Sequence, residues 1–274
     1  MASNDLLKYL TRVGFIGYGL LHLALAWVAA QIALGQGGQE GDQSGAFREL
    51  ADQPFGSVLL WFVIVCLLAL AVWQMILAIW GHRDVDGKER VVERLSGGAR
   101  VVIYAALAWT AGKVVLGAPS SSAEQQQRAT AGVMSAPAGA WLVGLAGVAV
   151  LAFGIGMLWY GLKRKFARKL RYPGPATASA RSVTSQLDPP GRRVAERAGQ
   201  IGYTAKGVAF GIVGYLLLDA AVTNDPEKSR GLDAAIHTIA GQPYGKFPLL
   251  AVAVGVAAFG AYCFFQARYR KVGS

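Results

Sequence analysis

Long apolar stretches separated by short polar segments dominate the pattern of hydrophobic and polar positions along this chain. Six of them approach or exceed the roughly 20 residues that a helix needs to cross a bilayer. The stretch 58–72 is apolar throughout, whereas the strands of a membrane barrel would alternate in segments of about ten residues. Because backbone polar groups in lipid must be satisfied within the segment, the six stretches are predicted to be helices. The predicted spans are 13–34, 57–80, 98–117, 139–162, 199–222 and 247–267.

The composition also favours a membrane protein. Of 274 residues, 54% are hydrophobic and only 16% are charged, which is too apolar for an ordinary soluble domain of this size. The first span is longer than the apolar region of a signal peptide and has equivalents later in the chain, so we expect it to remain in the mature protein. Cys66 and Cys263 lie within spans and are expected to pack as small apolar side chains.

Lysine and arginine are distributed unevenly between the two sides of the predicted spans. Of the 27, 20 lie on the side that carries both termini and five on the opposite side, while Lys113 and Lys206 lie within spans. Because short loops rich in basic residues stay in the cytoplasm, we predict a multi-pass protein of the bacterial plasma membrane with both termini cytoplasmic. The net charge of +11 is therefore expected to meet anionic lipids at the cytoplasmic face, and not nucleic acid.

An internal repeat is the most specific signal in the chain. The tetrapeptide ALAW at 24–27 recurs at 106–109, and the pattern R-x-G-x-I-G-Y at 12–18 recurs at 197–203. A turn of sequence QPFG at 53–56 returns as QPYG at 242–245, with APAG between them. In these turns the proline cannot continue a helix, and the glycine is expected to tolerate the backbone conformation that leads into the next one. Each copy thus predicts one span, an outer loop with a short amphipathic stretch, and a return span.

Three parallel copies follow from this pattern, because every unit of two spans begins on the same side of the membrane. Well-known alternating-access transporters use inverted copies instead. The predicted fold is all-α, a polytopic bundle of six transmembrane helices with a pseudo-threefold arrangement, although a row of hairpins would have the same sequence. The predicted organisation is repeat 1 at 1–81, repeat 2 at 82–162, a basic, proline-containing cytoplasmic linker at 163–198, and repeat 3 at 199–274.

With these repeats the chain resembles a family of bacterial membrane proteins, common in actinobacteria, that is known as a domain of unknown function. The resemblance consists of the two-helix unit in three copies and extends over essentially the whole chain. It implies an architecture and supplies no catalytic residue.

Ionisable residues inside the spans are the first candidate functional residues, because a charge in a bilayer is expensive to bury. His22 lies ten residues after Arg12 and therefore near the midplane. At the corresponding repeat positions are Tyr104 and, one residue early, Lys206. These three side chains either line a polar pocket or proton path at the pseudo-axis, or they bond to neighbouring helices while Lys206 extends to the surface.

Two further sets of residues are singled out by their depth and by their recurrence. Lys113 and Asp219 lie at similar depth near the outer ends of spans three and five. They are candidates for an ion pair between repeats, or they extend separately to the outer surface. Arg12, Arg94 and Arg197 recur at the start of the three units and are candidates for contacts with lipid headgroups.

Three functional hypotheses follow. The scarcity of intramembrane charge favours a non-catalytic accessory, assembly or scaffold component that meets other membrane proteins. The first alternative is a small transporter or channel with a polar site near His22 and Lys206, and the second is a lipid-binding membrane protein. No catalytic constellation, metal cluster or cofactor motif is visible, so we predict neither an enzyme nor a bound cofactor.

Overall fold

A computed structural model describes residues 2–36, 39–80, 87–169 and 189–270 of the chain. Its regular structure in these ranges is helical. The α-helices are α1 Ala2–Ala33, α2 Gln43–Ala51, α3 Gly56–Trp80, α4 Lys88–Val115, α5 Ser122–Met134, α6 Gly139–Leu162, α7 Pro189–Thr223, α8 Gly231–Ala240 and α9 Lys246–Tyr269. Short 3-10 helices lie at Lys165–Lys169 and Pro226–Ser229.

Six of the described helices, α1, α3, α4, α6, α7 and α9, are long and apolar enough to cross a bilayer. The predicted all-α fold with six spans is therefore confirmed. The start of α7 differs from the prediction, since the helix begins ten residues before the predicted span and includes residues 189–198 of the predicted linker. Proline is tolerated in a first helical turn, and Arg192 pairs with Glu196 one turn later at 2.8 Å. Linker residues 170–188 lie outside the described ranges.

The six long helices form a ring with one break. The second long helix of each unit packs most extensively on the first helix of the next, in the pairs α3–α4 and α6–α7, and α9 returns to α1. Within the first and third units, α1 also packs on α3 and α7 on α9. In the middle unit, α4 and α6 make no comparable contact within the described ranges. Because α1 and α9 join the first unit to the last, the units are arranged in a ring and not in a row.

Glycines allow close approach of the long helices. A Cβ at Gly154 of α6 would lie 2.6 Å from the backbone nitrogen of Gly211 and 2.9 Å from the carbonyl oxygen of Gly207, both on α7. Contacts of this kind drive packing where lipid removes the hydrophobic force between helices. Gly156 does not share this role, because a Cβ there would meet no described atom within 4 Å.

In the turn before the second long helix, the residue between the proline and the glycine has a positive φ in all three units. Phe55, Ala138 and Tyr244, each between the proline and the glycine, have φ of 62°, 60° and 62°. The prediction that the glycine adopts the unusual backbone conformation is therefore wrong. Glycine is required for close approach instead, since a Cβ at Gly139 would lie 2.8 Å from the Cα of Met134.

The short helices α2, α5 and α8 connect the long helices of each unit at the end of the bundle opposite the termini. We call them the loop-helix layer. Hydrogen bonds join the units within it: the backbone N–H of Ser122 donates to Oγ of Ser44 at 3.1 Å, and that of Gly41 donates to Oδ1 of Asp233 at 2.8 Å. The layer therefore links the second and third units to the first.

Candidate functional site

A hydrogen-bonded group of Tyr18, His22 and Lys206 lies inside the bundle, between α1 and α7. Nζ of Lys206 is 3.1 Å from Nε2 of His22 and donates to Oη of Tyr18 at 3.4 Å. Lys206 lies seven residues after Gly199, the first residue of the predicted span. At a rise of about 1.5 Å per residue, the backbone at Lys206 is thus about 10 Å inside the predicted span, on the side of the chain termini.

Hydrogen bonding indicates which ring nitrogen of His22 carries the proton. Nδ1 lies 2.8 Å from the carbonyl oxygen of Tyr18, and since a carbonyl only accepts, Nδ1 is the donor. In a neutral imidazole the other nitrogen then accepts, so Nζ of Lys206 donates to Nε2. A second proton on His22 would set two donors against each other. The His22–Lys206 pair therefore carries at most one positive charge, which lies on Nζ when the amine of Lys206 is protonated.

Aromatic rings surround this charge. Nζ of Lys206 lies 4.0 Å from the ring centroid of Phe259 and 5.4 Å from that of Tyr18, within the range of cation–π attraction. The ring of Tyr104, on α4, packs on Tyr18 with centroids 5.4 Å apart. The first long helices of the three units thus meet here, and the structure brings His22 and Lys206 into direct contact, with Tyr104 joined to them through Tyr18.

Sequence reasoning missed Tyr18 and Phe259. Tyr18 ends the R-x-G-x-I-G-Y pattern and lies one helical turn before His22, so the repeat itself carried a signal for it. Phe259 lies on α9 in a run of small and apolar residues and had no such signal.

The amine of Lys206 has no acidic partner within the part of the chain that the structure describes. Among the residues that the structure describes, no carboxylate forms an ion pair with Lys206, and no cluster of His, Cys, Asp and Glu is suited to a metal ion. The contacts of Lys206 are an imidazole, a phenol and ring faces, all of them uncharged. Because an unneutralised charge in a bilayer is costly, a carboxylate or phosphate group at Lys206 would stabilise the site.

Comparison with known proteins places these features in a family. One family model, described as Domain of Unknown Function (DUF1206), matches the chain three times, at residues 13–81, 95–164 and 201–270. The chain belongs to the DUF1206 family. This confirms the resemblance and the three-copy unit predicted from the sequence, and it assigns His22, Tyr104 and Lys206 to three different DUF1206 units.

One relative matches over nearly its whole length. The chain is 28% identical over 270 residues to the "Uncharacterized protein YxxB" of Bacillus subtilis (strain 168), which covers 97% of this chain and 92% of the relative. No solved structure matches the chain.

The ion pair predicted between Lys113 and Asp219 is wrong. Oδ2 of Asp219 pairs with Nζ of Lys228 at 2.8 Å, and this hydrogen bond raises the pKa of Lys228 above its ordinary value. Lys228 follows nine residues later, in the 3-10 helix that packs on α7. The third DUF1206 unit thus supplies the partner of Asp219 from its own outer loop.

The three recurring arginines lie at equivalent places. Arg12, Arg94 and Arg197 are all exposed, near the start of the long-helix spans α1, α4 and α7. Their contact with lipid headgroups stays a prediction.

A buried carboxylate also lies in the loop-helix layer. Asp42 is fully buried and caps α2, with Oδ1 accepting from the backbone N–H of Ser44 at 2.8 Å and of Gly45 at 3.2 Å. Burial raises the pKa of Asp42 above its ordinary value, although the hydrogen bonds from Ser44 and Gly45 oppose this. Asp42 is thus the N-cap of α2. Because its carboxyl group titrates, the stability of this cap depends on pH.

Proposed function

We propose that this membrane protein binds an anionic ligand at Lys206. The observation that carries the proposal is the Lys206–His22 pair, two basic side chains in contact inside a span, with no carboxylate paired to Lys206 among the described residues. A ligand carboxylate or phosphate would accept a hydrogen bond from Nζ of Lys206, in place of the long hydrogen bond from Nζ to Oη of Tyr18. Neutralisation of the charge would then supply part of the binding free energy.

The contacts support a proposed role for each residue of this site. Lys206 binds the anion, while His22 holds the amine in place through Nε2 and is itself fixed by the carbonyl of Tyr18. Phe259 and Tyr18 exclude water from the ammonium. With water excluded, the attraction between ammonium and anion is stronger than it would be at the protein surface.

The distribution of basic residues supports a location for the site. Since 20 of the 27 lysines and arginines lie on the side of the termini, we infer that this side is cytoplasmic, in the plasma membrane of a bacterium. Lys206 then lies in the cytoplasmic half of the bilayer. Protease digestion of a C-terminal tag in intact spheroplasts tests the orientation: a tag that is cleaved before lysis contradicts it.

An accessory or assembly role is the second candidate function. It draws on α6, which packs on α7 along one face and leaves much of its remaining surface uncovered, with Trp141 83% exposed. A helix of another membrane protein fits such a face as well as lipid does. Purification in mild detergent tests it, since a partner of fixed stoichiometry supports assembly and its absence contradicts it.

The direct test of the proposed function is anion binding by the purified full chain in a neutral maltoside detergent. Oleate, phosphatidylglycerol and inorganic phosphate are titrated separately by calorimetry. We expect at least one of them to bind, and Lys206→Met to weaken that binding by about tenfold or more, because the charge is lost while an unbranched side chain of nearly the same length remains.

Lys113→Met is the matched control, since Lys113 is also a half-buried lysine of a long helix but lies near the opposite end of its span. Both variants are first compared with the wild type by gel filtration and thermal unfolding. The proposal is wrong if no anion binds the wild type, or if Lys206→Met binds as tightly as Lys113→Met.

A further inference from the structure

The ring of long helices is open between α4 and α6. All the other neighbours around the ring pack along each other, whereas these two make no comparable contact within the described ranges. On α6, the buried residues Gly147, Gly154 and Gly161 face α7, so the side of α6 towards α4 lacks a helix partner there. We call this opening the lateral gap.

The face of α7 that carries Lys206 is only partly covered by protein atoms. Phe210, Val213 and Leu217 follow Lys206 by four, seven and eleven residues, so the four side chains form one stripe on the helix. The ring of Phe210 packs on that of Phe153, on α6, with centroids 5.2 Å apart. Phe153 is nevertheless 56% exposed, and all four members of the stripe are only half-buried. The stripe therefore borders space that protein atoms do not fill.

The chemistry of this stripe changes once along its length. The positive charge of Lys206 lies at the end near the chain termini, and the three residues beyond it are apolar. From Lys206 to Leu217 the stripe extends about 16 Å at the rise of an α-helix. A ligand that matches it has one anionic group followed by an extended apolar chain.

We propose that the ligand is a fatty acid of the bilayer, which enters sideways through the lateral gap and places its carboxylate on Lys206 and its acyl chain along Phe210, Val213 and Leu217. This inference deepens the proposed function and rests on it. Charge complementarity selects the carboxylate, and the apolar stripe selects the chain.

The depth of Lys206 favours a single-chain lipid over a phospholipid. The backbone at Lys206 lies about 10 Å inside the predicted span, and a phospholipid would have to carry its phosphate and glycerol towards that depth together with two chains. A carboxylate is a small anionic group on one chain. Entry through the lateral gap lets the chain remain in an apolar environment throughout, so that only the carboxylate leaves the interface.

The test fills the stripe without touching Lys206. Val213→Trp adds a large side chain to the stripe, while the matched control Val208→Trp adds the same side chain two residues after Lys206, on the opposite face of α7. Binding of radiolabelled oleate to the full chain is measured in neutral maltoside detergent. We expect Val213→Trp to weaken oleate binding by about tenfold or more and Val208→Trp to leave it within about twofold.

Short and phosphorylated anions separate this inference from the proposed function. We expect palmitate to displace oleate and butyrate to fail at the same concentration, because butyrate lacks the chain that covers the stripe. If butyrate or inorganic phosphate binds as well as oleate and depends on Lys206, the anion site stands and the fatty-acid inference is overturned. If phosphatidylglycerol displaces oleate and palmitate does not, the inference is also overturned. If no anion binds, both proposals fail.

Photo-crosslinking keeps the inference testable should Val213→Trp not fold. A diazirine-labelled fatty acid is activated on the wild-type chain, and the adducts are located by mass spectrometry. We expect adducts at Phe153, Phe210, Val213 and Leu217. Adducts confined to the outward face of α7, at Val208 and Tyr215, would overturn the inference, as would a co-purified protein crosslinked to the stripe.

Discussion

Ala138 and Gly139 are adjacent in the turn before α6, and exchanging their residue types is predicted to change stability in opposite directions. Ala138 has φ of 60° and ψ of 12°, a left-handed conformation that costs an L-residue about 1–2 kcal/mol. Glycine avoids this cost but gives up about 0.5–1 kcal/mol through its freer unfolded chain. Ala138→Gly is therefore expected to stabilise the protein by about 0.5–1 kcal/mol.

Gly139→Ala is expected to destabilise the same turn. The added Cβ would lie 2.7 Å from the carbonyl carbon of Val133 and 2.8 Å from the Cα of Met134. Both are backbone atoms, which cannot rotate away as the end of a flexible side chain can. The expected cost is that of overpacking, about 1–3 kcal/mol.

Thermal unfolding in detergent, followed by a thiol-reactive dye, measures both changes, because Cys66 and Cys263 are buried and free. With a shift of about 2–4 °C per kcal/mol for a chain of this size, we expect Tm to rise slightly for Ala138→Gly and to fall by several degrees for Gly139→Ala. A lower Tm for Ala138→Gly, or an unchanged Tm for Gly139→Ala, would refute the assignment of the strain to the residue before the glycine.

Two further predictions concern helix packing and pH. Gly154→Ala should lower the free energy of unfolding by the overpacking cost of about 1–3 kcal/mol, and Tm with it, because its Cβ would meet the backbone of α7. Gly156→Ala should leave Tm unchanged or raise it. Equal effects of the two variants in one thermal assay would contradict this packing. Since burial raises the pKa of Asp42, protonation favours the folded state, so stability should rise as pH falls through that raised pKa. Asp42→Asn keeps an oxygen to cap α2 and should raise Tm at neutral pH and flatten its pH profile between neutral and acidic pH; a profile that stays parallel to the wild type would exclude Asp42 as the titrating group.

The sequence was sufficient for the spans and for the three-unit plan. A membrane helix is recognised from about 20 consecutive apolar residues because its backbone bonds are local, and the repeat is visible in the letters at 12–18 and 197–203. The start of α7 at Pro189 was missed because the segment before the span is polar and rich in proline, and hydropathy alone does not detect a helix that continues beyond the bilayer.

The backbone of the turns required the structure. Phe55, Ala138 and Tyr244 differ in size and polarity, and none favours a positive φ. Because glycine has the greatest conformational freedom, the sequence indicated the neighbouring glycine for that role. Its actual role depends on the carbonyl groups of the preceding short helix, and their distance is a property of the folded turn.

Depth in the membrane was predictable for ionisable residues, and lateral neighbours were not. Counting along a helix placed His22 and Lys206 at similar levels, and the structure brings their nitrogens to 3.1 Å. The same counting paired Lys113 with Asp219, whose partner is Lys228. A level defines a distance along the helix axis only, while a contact also requires the rotation of each helix and the identity of its neighbour.

What the sequence by itself determined is thus local and periodic: six helices, their order across the bilayer, and three copies of one unit. Only the tertiary structure decided that α9 closes on α1, that α4 and α6 make no comparable contact within the described ranges, and that Lys206 of α7 meets His22 of α1. Three similar units would be expected to close three similar contacts. The difference arises because α6 directs its buried glycines to α7, and which faces of two helices meet depends on packing among all six.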